Sequence, residues 1–248
     1  MQQPSPTSID RTSKLPRARV TKREQCADDL FKLWLEPETP FPTFKPGQYC
    51  TIGVNGIERA YSLSSAPHEP LLEIFVELVP EGELTPLLWK LKVDDTVSLR
   101  PRAKGVFVQS PKFQNHFMVS TVTGVVPFVS ILRHYFHENG TGHKFYVIEG
   151  ASYPGEFGYD DELSKMAADH PDTVAFVATI SRPTEEKSKG WTGETGRANA
   201  VVGKYLEQFK IDPATTLIYA CGHPGMIEDV GVEAAAKGFA FTEEKFWV

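Results

Sequence analysis

The residues best equipped for chemistry begin with Arg59-Ala60-Tyr61-Ser62. Strand alternation sends Arg59 and Tyr61 to one side and Ala60 and Ser62 to the other. An arginine fork can clamp a diphosphate, an aromatic ring can lie on a flat heterocycle, and a hydroxyl can bond a ring nitrogen. Further on, Val79-Pro80-Glu81-Gly82-Glu83-Leu84-Thr85 offers a tight turn at Gly82 and a helix start capped by Thr85, whose free N–H groups suit phosphate. Ser120-Thr121-Val122-Thr123-Gly124-Val125-Val126-Pro127 follows an apolar run and opens a helix, the place where a parallel α/β sheet cradles a dinucleotide phosphate. Pro127 suits a first helical turn. Ser181-Arg182 ends another apolar run, with Arg197 following Thr195-Gly196. Cys221-Gly222-His223-Pro224-Gly225-Met226 follows the last core run, and the sequence closes with Glu243-Glu244-Lys245-Phe246-Trp247-Val248. Taken alone, a cysteine before a helix is packing, and the Gly140-Thr141-Gly142 run, which precedes a strand, is a turn.

The elements that must position these residues fall into two groups. Up to about residue 110 the pattern is β. Arg17–Gln25, Leu30–Glu36, Gln48–Val54, Ile57–Leu63 and Thr96–Arg100 read as strands, and Asn55-Gly56 is a type I′ hairpin signal. Leu72, Ile74, Val76 and Leu78 alternate with Glu73, Phe75 and Glu77, as in a strand with one buried face. A short helix is expected over Thr85–Leu91. Several short strands joined by turns point to a six-stranded antiparallel β-barrel. After Pro111, apolar runs at Phe117–Ser120, Phe145–Ile148, Val174–Ile180 and Leu217–Cys221 alternate with helical stretches at Pro127–Phe136, Asp160–Ala168, Ala198–Phe209 and Pro224–Gly238. That alternation predicts a parallel sheet covered on both faces. The expected organisation is an arm over 1–13, a β domain over 14–110 and a parallel α/β nucleotide-binding domain over 111–248.

Composition removes several classes of function. Across 248 residues the hydrophobic share is 41% and the charged share 23%, as in a folded globular protein. The net charge of −6 argues against a nucleic-acid binder. No run reaches the length of a membrane span, and 1–13 lacks a signal-peptide core; a cytoplasmic protein is expected. The three cysteines, Cys26, Cys50 and Cys221, are fewer than the about four thiolates of a Cys-ligated cluster and form no CxxC pair for a zinc ribbon. His134 and His137 share a helix face near His143, but no carboxylate or thiol completes a ligand set, so no metal is expected. There is no Gly-x-Ser-x-Gly elbow for a hydrolase.

Arg-x-Tyr-Ser in a barrel, followed by an α/β half with the motifs above in order, resembles the ferredoxin–NADP reductase family, in particular its bacterial ferredoxin/flavodoxin reductase branch. The resemblance runs from about Lys14 to Val248. It implies bound FAD, with Arg59 on the diphosphate, Tyr61 stacked on the isoalloxazine and Ser62 near flavin N5. Ala60, Phe75, Glu83, Leu84, Thr85 and Thr123 would complete the flavin site, and Phe246 and Trp247 would cover it. NADP(H) would be held by Thr123, Gly124, Ser181, Arg182, Arg197, Gly222 and Met226, the arginines taking the 2′-phosphate. Here the sequence departs from the family's usual Ala-Thr-Gly-Thr-Gly-x-x-Pro: Val122 stands at the first glycine, where a β-branched residue tolerates positive φ poorly and narrows access to the backbone.

The chemistry implied is hydride transfer between nicotinamide and flavin, then single-electron exchange with ferredoxin or flavodoxin, with Ser62, Cys221 and Glu244 as the catalytic group. An acidic enzyme needs a local basic dock for such carriers. Arg100, Arg102 and Lys104 are the first choice, and Lys14, Arg17, Arg19, Lys22 and Arg23 a second patch. The resting chain is expected to be a monomer. Two other readings stand beside this one: an NADH-linked flavin or oxygenase reductase, and a flavin-binding sensor module with impaired nicotinamide turnover.

Overall fold

The computed structural model describes residues 14–245. The arm over 1–13 and the covering role expected of Phe246 and Trp247 lie outside the described residues.

The first sheet has six antiparallel strands in the order β4-β3-β6-β1-β2-β5, namely β1 (Arg17–Gln25), β2 (Leu30–Pro37), β3 (Tyr49–Val54), β4 (Ile57–Ser62), β5 (Leu72–Glu77) and β6 (Thr96–Leu99). Asn55 and Gly56 take φ of 52° and 83° between β3 and β4, the paired left-handed geometry of a type I′ turn. Val20, Leu33, Ile52, Leu63, Ile74 and Val97 meet inside the curled sheet, all of them fully or almost fully buried. The barrel does not close through a ladder. Its end strands meet just past β4, where the Ser64 N–H donates to the Glu73 carbonyl at 2.9 Å. A short helix α1 (Thr85–Trp89) follows β5.

The second sheet is wholly parallel, in the order β10-β9-β8-β7-β11-β12. Its strands are β7 (Asn115–Thr121), β8 (Lys144–Ala151), β9 (Val174–Ile180), β10 (Glu194–Thr195), β11 (Thr216–Cys221) and β12 (Ala240–Glu244). Helices α2 (Val126–His137) and α3 (Asp160–Asp169) bury their apolar stripes on one face. Helices α4 (Ala198–Gln208) and α5 (Pro224–Ala236) cover the other. Both faces are therefore dry, which is why the strands read as continuous apolar runs. The sequence reading missed β10, too short to show a period, and β12, an edge strand of mixed burial.

One expectation is overturned at β5. Glu73 and Phe75, on the face of β5 opposite the one expected to be buried in the barrel, are only 3% and 4% exposed. The outer face of β5 is covered by the α/β half. Phe75 packs edge-on against Tyr159 at 5.6 Å, and Glu73 accepts from the Tyr159 hydroxyl at 2.8 Å and from Arg133 of α2 at 2.7 Å. Arg133 also makes a two-pronged pair with Glu162 of α3 at 2.7 and 2.8 Å. Ser130 donates to the Ser65 carbonyl at 2.8 Å. The two sheets are thus joined by a buried polar clasp.

Candidate functional site

A cleft of about 550 Å³ opens between the two sheets, lined by the end of β4, the outer face of β5, the loop before α1, the turn after β7 and the end of β12. The β4–β3 register places Ser62 opposite Tyr49 and Tyr61 opposite Cys50. Tyr61 is half-buried, and burial pushes its phenol well above the ordinary range. Arg59 is exposed at the rim and forms an ion pair with Glu83. The Glu83 carboxylate thus gives the Arg59 guanidinium an acidic partner at the rim of the cleft.

The loop before α1 is built differently from the sequence expectation. Leu84, not Thr85, is the N-cap, and no side chain caps this helix. The Thr85 hydroxyl instead clamps the loop, accepting from the Val79 N–H at 2.9 Å and donating to the Val79 carbonyl at 3.0 Å. Leu84 turns its side chain into the barrel core at 2% exposure, so it can offer the cleft only its backbone. Ala60 is exposed and Phe75 forms part of the floor.

At the far wall the Ser62 hydroxyl donates to Glu244 Oε2 at 3.4 Å, linking β4 to the end of β12 across 182 residues. Burial raises the Glu244 carboxyl from 4.5 to about 7, against a smaller lowering by the Ser62 hydrogen bond. A half-buried acid that titrates near neutral beside a hydroxyl is a proton donor and acceptor suited to neutral pH. Cys221 pairs with Glu244 in the β11–β12 register but is fully buried and does not line the cleft. Burial, with the Glu244 charge adding to it, raises the thiol well above its usual range, so it is a neutral group beneath the wall.

The turn after β7 packs tightly on the turn after β11. A Cβ on Gly124 would collide with the Cys221 carbonyl, and one on Gly222, whose φ is 125°, would collide with the Thr121 hydroxyl. The His223 N–H donates to that hydroxyl at 2.8 Å. Gly124 is therefore required by loop packing, and Thr123 is the residue of this turn that reaches the cleft together with Val126. Val122 takes φ of 44°, the left-handed geometry usually left to glycine. Met226 lies in the core beneath α4 and α5, away from the cleft.

Ser181, Arg182 and Arg197 are brought together at the β9 end of the sheet. The Gly196 N–H donates to the Ile180 carbonyl at 2.8 Å, and the Ser181 N–H to the Ala151 carbonyl at 2.9 Å. Arg182 and Arg197 are both exposed. Arg182 donates to the Tyr153 hydroxyl at 2.9 Å and lies 3.9 Å from the Glu185 carboxylate. Of the basic dock, Arg100 is engaged bidentately by Glu58 at 3.0 and 2.7 Å, leaving Arg102 and Lys104 exposed beside Val106, which is 91% exposed. Much of the second basic patch is spent within the barrel: Arg19 pairs with Glu36 and Asp94, Lys22 with Glu24, and Arg23 lies over Phe31 and Trp89. His143 contacts His116 at 3.0 Å and His137 stacks on His68 at 3.5 Å. No cluster of potential metal ligands occurs among the described residues, and none of their helices is long and apolar enough to cross a membrane.

The sequence reading missed Tyr49 and Glu77, both of which line the cleft. The signal for Tyr49 was its hairpin register opposite Ser62; for Glu77, only the tertiary fold could supply it. A planar redox cofactor bearing a diphosphate fits this donor set. The aromatic Tyr61 flanks an apolar slot, Ser62 and Glu244 stand at one end, and Arg59 stands at the rim with its fork already turned to an acidic group.

A curled antiparallel sheet docked on a parallel α/β sheet, with an aromatic and arginine-rimmed cleft between them, is an arrangement the chain shares with proteins of known structure. A family model described as an oxidoreductase NAD-binding domain matches residues 118–231. The chain is 27% identical over 223 residues to the flavodoxin/ferredoxin–NADP reductase of Escherichia coli, covering 85% of this chain and 86% of that protein. It is 28% identical over 218 residues to the reductase component of propane 2-monooxygenase from Rhodococcus jostii, covering 86% of this chain and 57% of that one. A ferredoxin NADP+ reductase from Neisseria gonorrhoeae, solved with bound FAD and NADP, superposes with a TM-score of 0.82 at 23% identity, covering 95% and 100% of the two chains. The chain thus shares the fold of a ferredoxin NADP+ reductase and is similar in sequence to flavodoxin/ferredoxin–NADP reductases over most of its length.

Proposed function

We propose that the protein is an FAD-dependent oxidoreductase that passes electrons between NADP(H) and ferredoxin or flavodoxin, with residues 14–110 carrying FAD and 111–248 carrying NADP(H). The observation that carries this reading is the meeting of Arg59, Tyr61 and Ser62 on β4 with Glu244 on β12 and Thr123 after β7 in one cleft. Bound FAD supplies the conversion between two-electron exchange with a nicotinamide and one-electron exchange with a carrier. Arg59 binds the diphosphate once Glu83 releases it, and Thr85 fixes the loop whose backbone faces that diphosphate. Tyr61 orients the flat ring. Ser62 and Glu244 hold a proton at the wall and exchange it with solvent through the Glu244 carboxyl. Cys221 supports that wall from below. Arg182 and Arg197 favour a dinucleotide with a 2′-phosphate, and Arg102 and Lys104 receive an acidic carrier.

The test is anaerobic mixing of the FAD-loaded protein with NADPH and NADH in parallel. Fast bleaching of the flavin band by NADPH and slower bleaching by NADH is the expected result; NADH as good as NADPH refutes the coenzyme assignment. Arg59→Ala is expected to weaken FAD binding about 10- to 100-fold, the worth of a charged hydrogen bond, and full retention of FAD on dilution would remove Arg59 from the diphosphate. The likeness to an oxygenase reductase component favours a second reading, in which the acceptor is an oxygenase. Reduction of cytochrome c that depends on added ferredoxin separates the two.

A further inference from the structure

Three polar rings are joined in a row through the core of the second sheet. His143, half-buried before β8, places Nδ1 3.0 Å from the Phe113 carbonyl and 3.0 Å from Nε2 of His116 on β7. His116 is fully buried, and its Nδ1 lies 3.1 Å from the hydroxyl of Tyr219 on β11, which is fully buried too. The Ser110 N–H donates to that hydroxyl at 3.0 Å, and the hydroxyl reaches the Val108 carbonyl at 3.5 Å.

This row admits one arrangement of hydrogens. A carbonyl only accepts, so His143 Nδ1 carries a proton and donates to Phe113 and to His116 Nε2. Burial, with the His143 charge adding to it, lowers His116 to about 3, so its ring is neutral and has a single N–H. That N–H is at Nδ1 and donates to Tyr219. The Tyr219 oxygen then accepts twice, from His116 and Ser110, and turns its own hydrogen to Val108. Lys144 and Asp172 share a surface hollow with His143, and a proton gained there on the outer nitrogen of His143 leaves the order unchanged.

The hydroxyl holds the connector between the two sheets, residues 100–114. Phe107 of the connector packs against Tyr219 and Phe128 at 5.5 and 5.8 Å, and a Cβ on Gly47 of the barrel would collide with its carbonyl. Two residues earlier Gly105, with φ of 105°, lies against the wall of the redox cleft. A Cβ there would stand 3.1 Å from the Tyr49 ring and 3.4 Å from Glu244 Oε1. The Gln48 side-chain amide donates to the Gly105 carbonyl at 2.9 Å. The connector is thus a strut between Tyr219 and the wall where Ser62 meets Glu244. Besides Ser62 on β4, the titratable groups facing that carboxyl are Tyr49 on β3 and Cys221 on β11, while Lys245 pairs with Glu243 at 2.9 Å.

We propose that His143, His116 and Tyr219 are positioning residues of the flavin site: a hydroxyl with one fixed set of partners holds Val108 and Ser110, and the same connector thereby keeps Gly105 seated on Tyr49 and Glu244 and water away from the proton-holding wall. The catalytic consequence rests on the proposed function above; the positioning of Glu244 does not.

The test uses the FAD-loaded protein. Long-range proton–nitrogen spectra of the wild-type histidine rings are expected to show His116 neutral, with its proton on Nδ1, from about pH 8 to about pH 5; a proton on Nε2 overturns the proposal. Carbon-13 titration of the carboxyls, with Glu244→Gln to assign the signal, then compares three variants. Tyr219→Phe removes the hydroxyl and His116→Leu the donor that orients it, so in both Glu244 is expected to titrate lower, by about half a unit or more, as water reaches it. His116→Asn restores an N–H at the Nδ1 position and is expected to recover most of the wild-type midpoint. Flavin reduction at saturating NADPH should slow about tenfold in Tyr219→Phe with the KM for NADPH unchanged. Circular dichroism checks folding, and the two His116 variants carry the test if Tyr219→Phe does not fold. An unmoved Glu244 midpoint, or His116→Asn no better than His116→Leu, overturns the proposal. A shifted midpoint in a protein that neither NADPH nor NADH reduces sinks the proposed function alone.

Discussion

At the scale of single residues, one half-buried and one fully buried carboxyl set the behaviour with pH. Glu244 titrates at about 7 in the folded chain instead of 4.5 because burial disfavours its charge. The folded chain therefore keeps a proton that the unfolded chain releases. The stability tied to this group is fully present below about 4.5 and is lost as the pH rises through 7. Glu244→Gln, which keeps the shape but cannot ionise, is expected to remove an inflection near pH 7 from the NADPH-dependent reduction rate; the same inflection in the variant would show that another group sets it. Glu149 is a harsher case. It is fully buried on β8, neither oxygen has a hydrogen-bond partner among the described residues, and burial, with Asp160 adding to it, raises its carboxyl well above the usual range. Glu149→Met is expected to stabilise the protein by about 1–3 kcal/mol at pH 8, where the unfolded chain gains from ionising this side chain, and by less at pH 4.5. Urea midpoints at the two pH values decide it, and a variant that is less stable at both would reveal a partner for that carboxyl.

At the scale of elements, helix α2 does two jobs. Its first turn lines the cleft through Val126, and further along Ser130 and Arg133 fasten the segment after β4 and β5. Arg133 is the centre of that clasp. It satisfies Glu73, which is 3% exposed, together with Glu162. Removing it takes the charged partner from a buried carboxylate between the two sheets and leaves Glu73 only the Tyr159 hydroxyl, at a cost of about 3–5 kcal/mol. Arg133→Leu is accordingly expected to unfold in two steps, the α/β half and the barrel reporting separately, where the wild type shows one. A single transition at the wild-type midpoint would show that the clasp contributes little.

At the scale of the whole molecule, a net charge of −6 works against an acidic partner unless positive charge is gathered locally. On the proposed function, with Arg100 held by Glu58, that task would fall to Arg102 and Lys104 around the exposed Val106. Reversing both charges, Arg102→Glu with Lys104→Glu, is expected to raise the KM for ferredoxin about tenfold at low salt and to narrow the difference as salt increases. Reduction of ferricyanide by NADPH, which needs no docking surface, should be unaffected; a loss there would place these residues in the flavin site instead.

Periodicity and turn chemistry by themselves determined the two architectures, because continuous apolar runs fit only strands buried on both faces and Asn55-Gly56 fits only a tight hairpin. The same local signals located Arg59, Tyr61, Ser62, Ser181 and Arg182 at strand ends, where binding residues belong. The tertiary structure alone decided that both faces of β5 are buried, that Thr85 clamps a loop instead of capping a helix, and that Ser62 meets Glu244. Each of those facts depends on a neighbour supplied from the other half of the chain or from several residues away. Burial, charge and hydrogen bonding arise from such neighbours in space, and the period of a strand or helix carries no record of which element will come to lie against it.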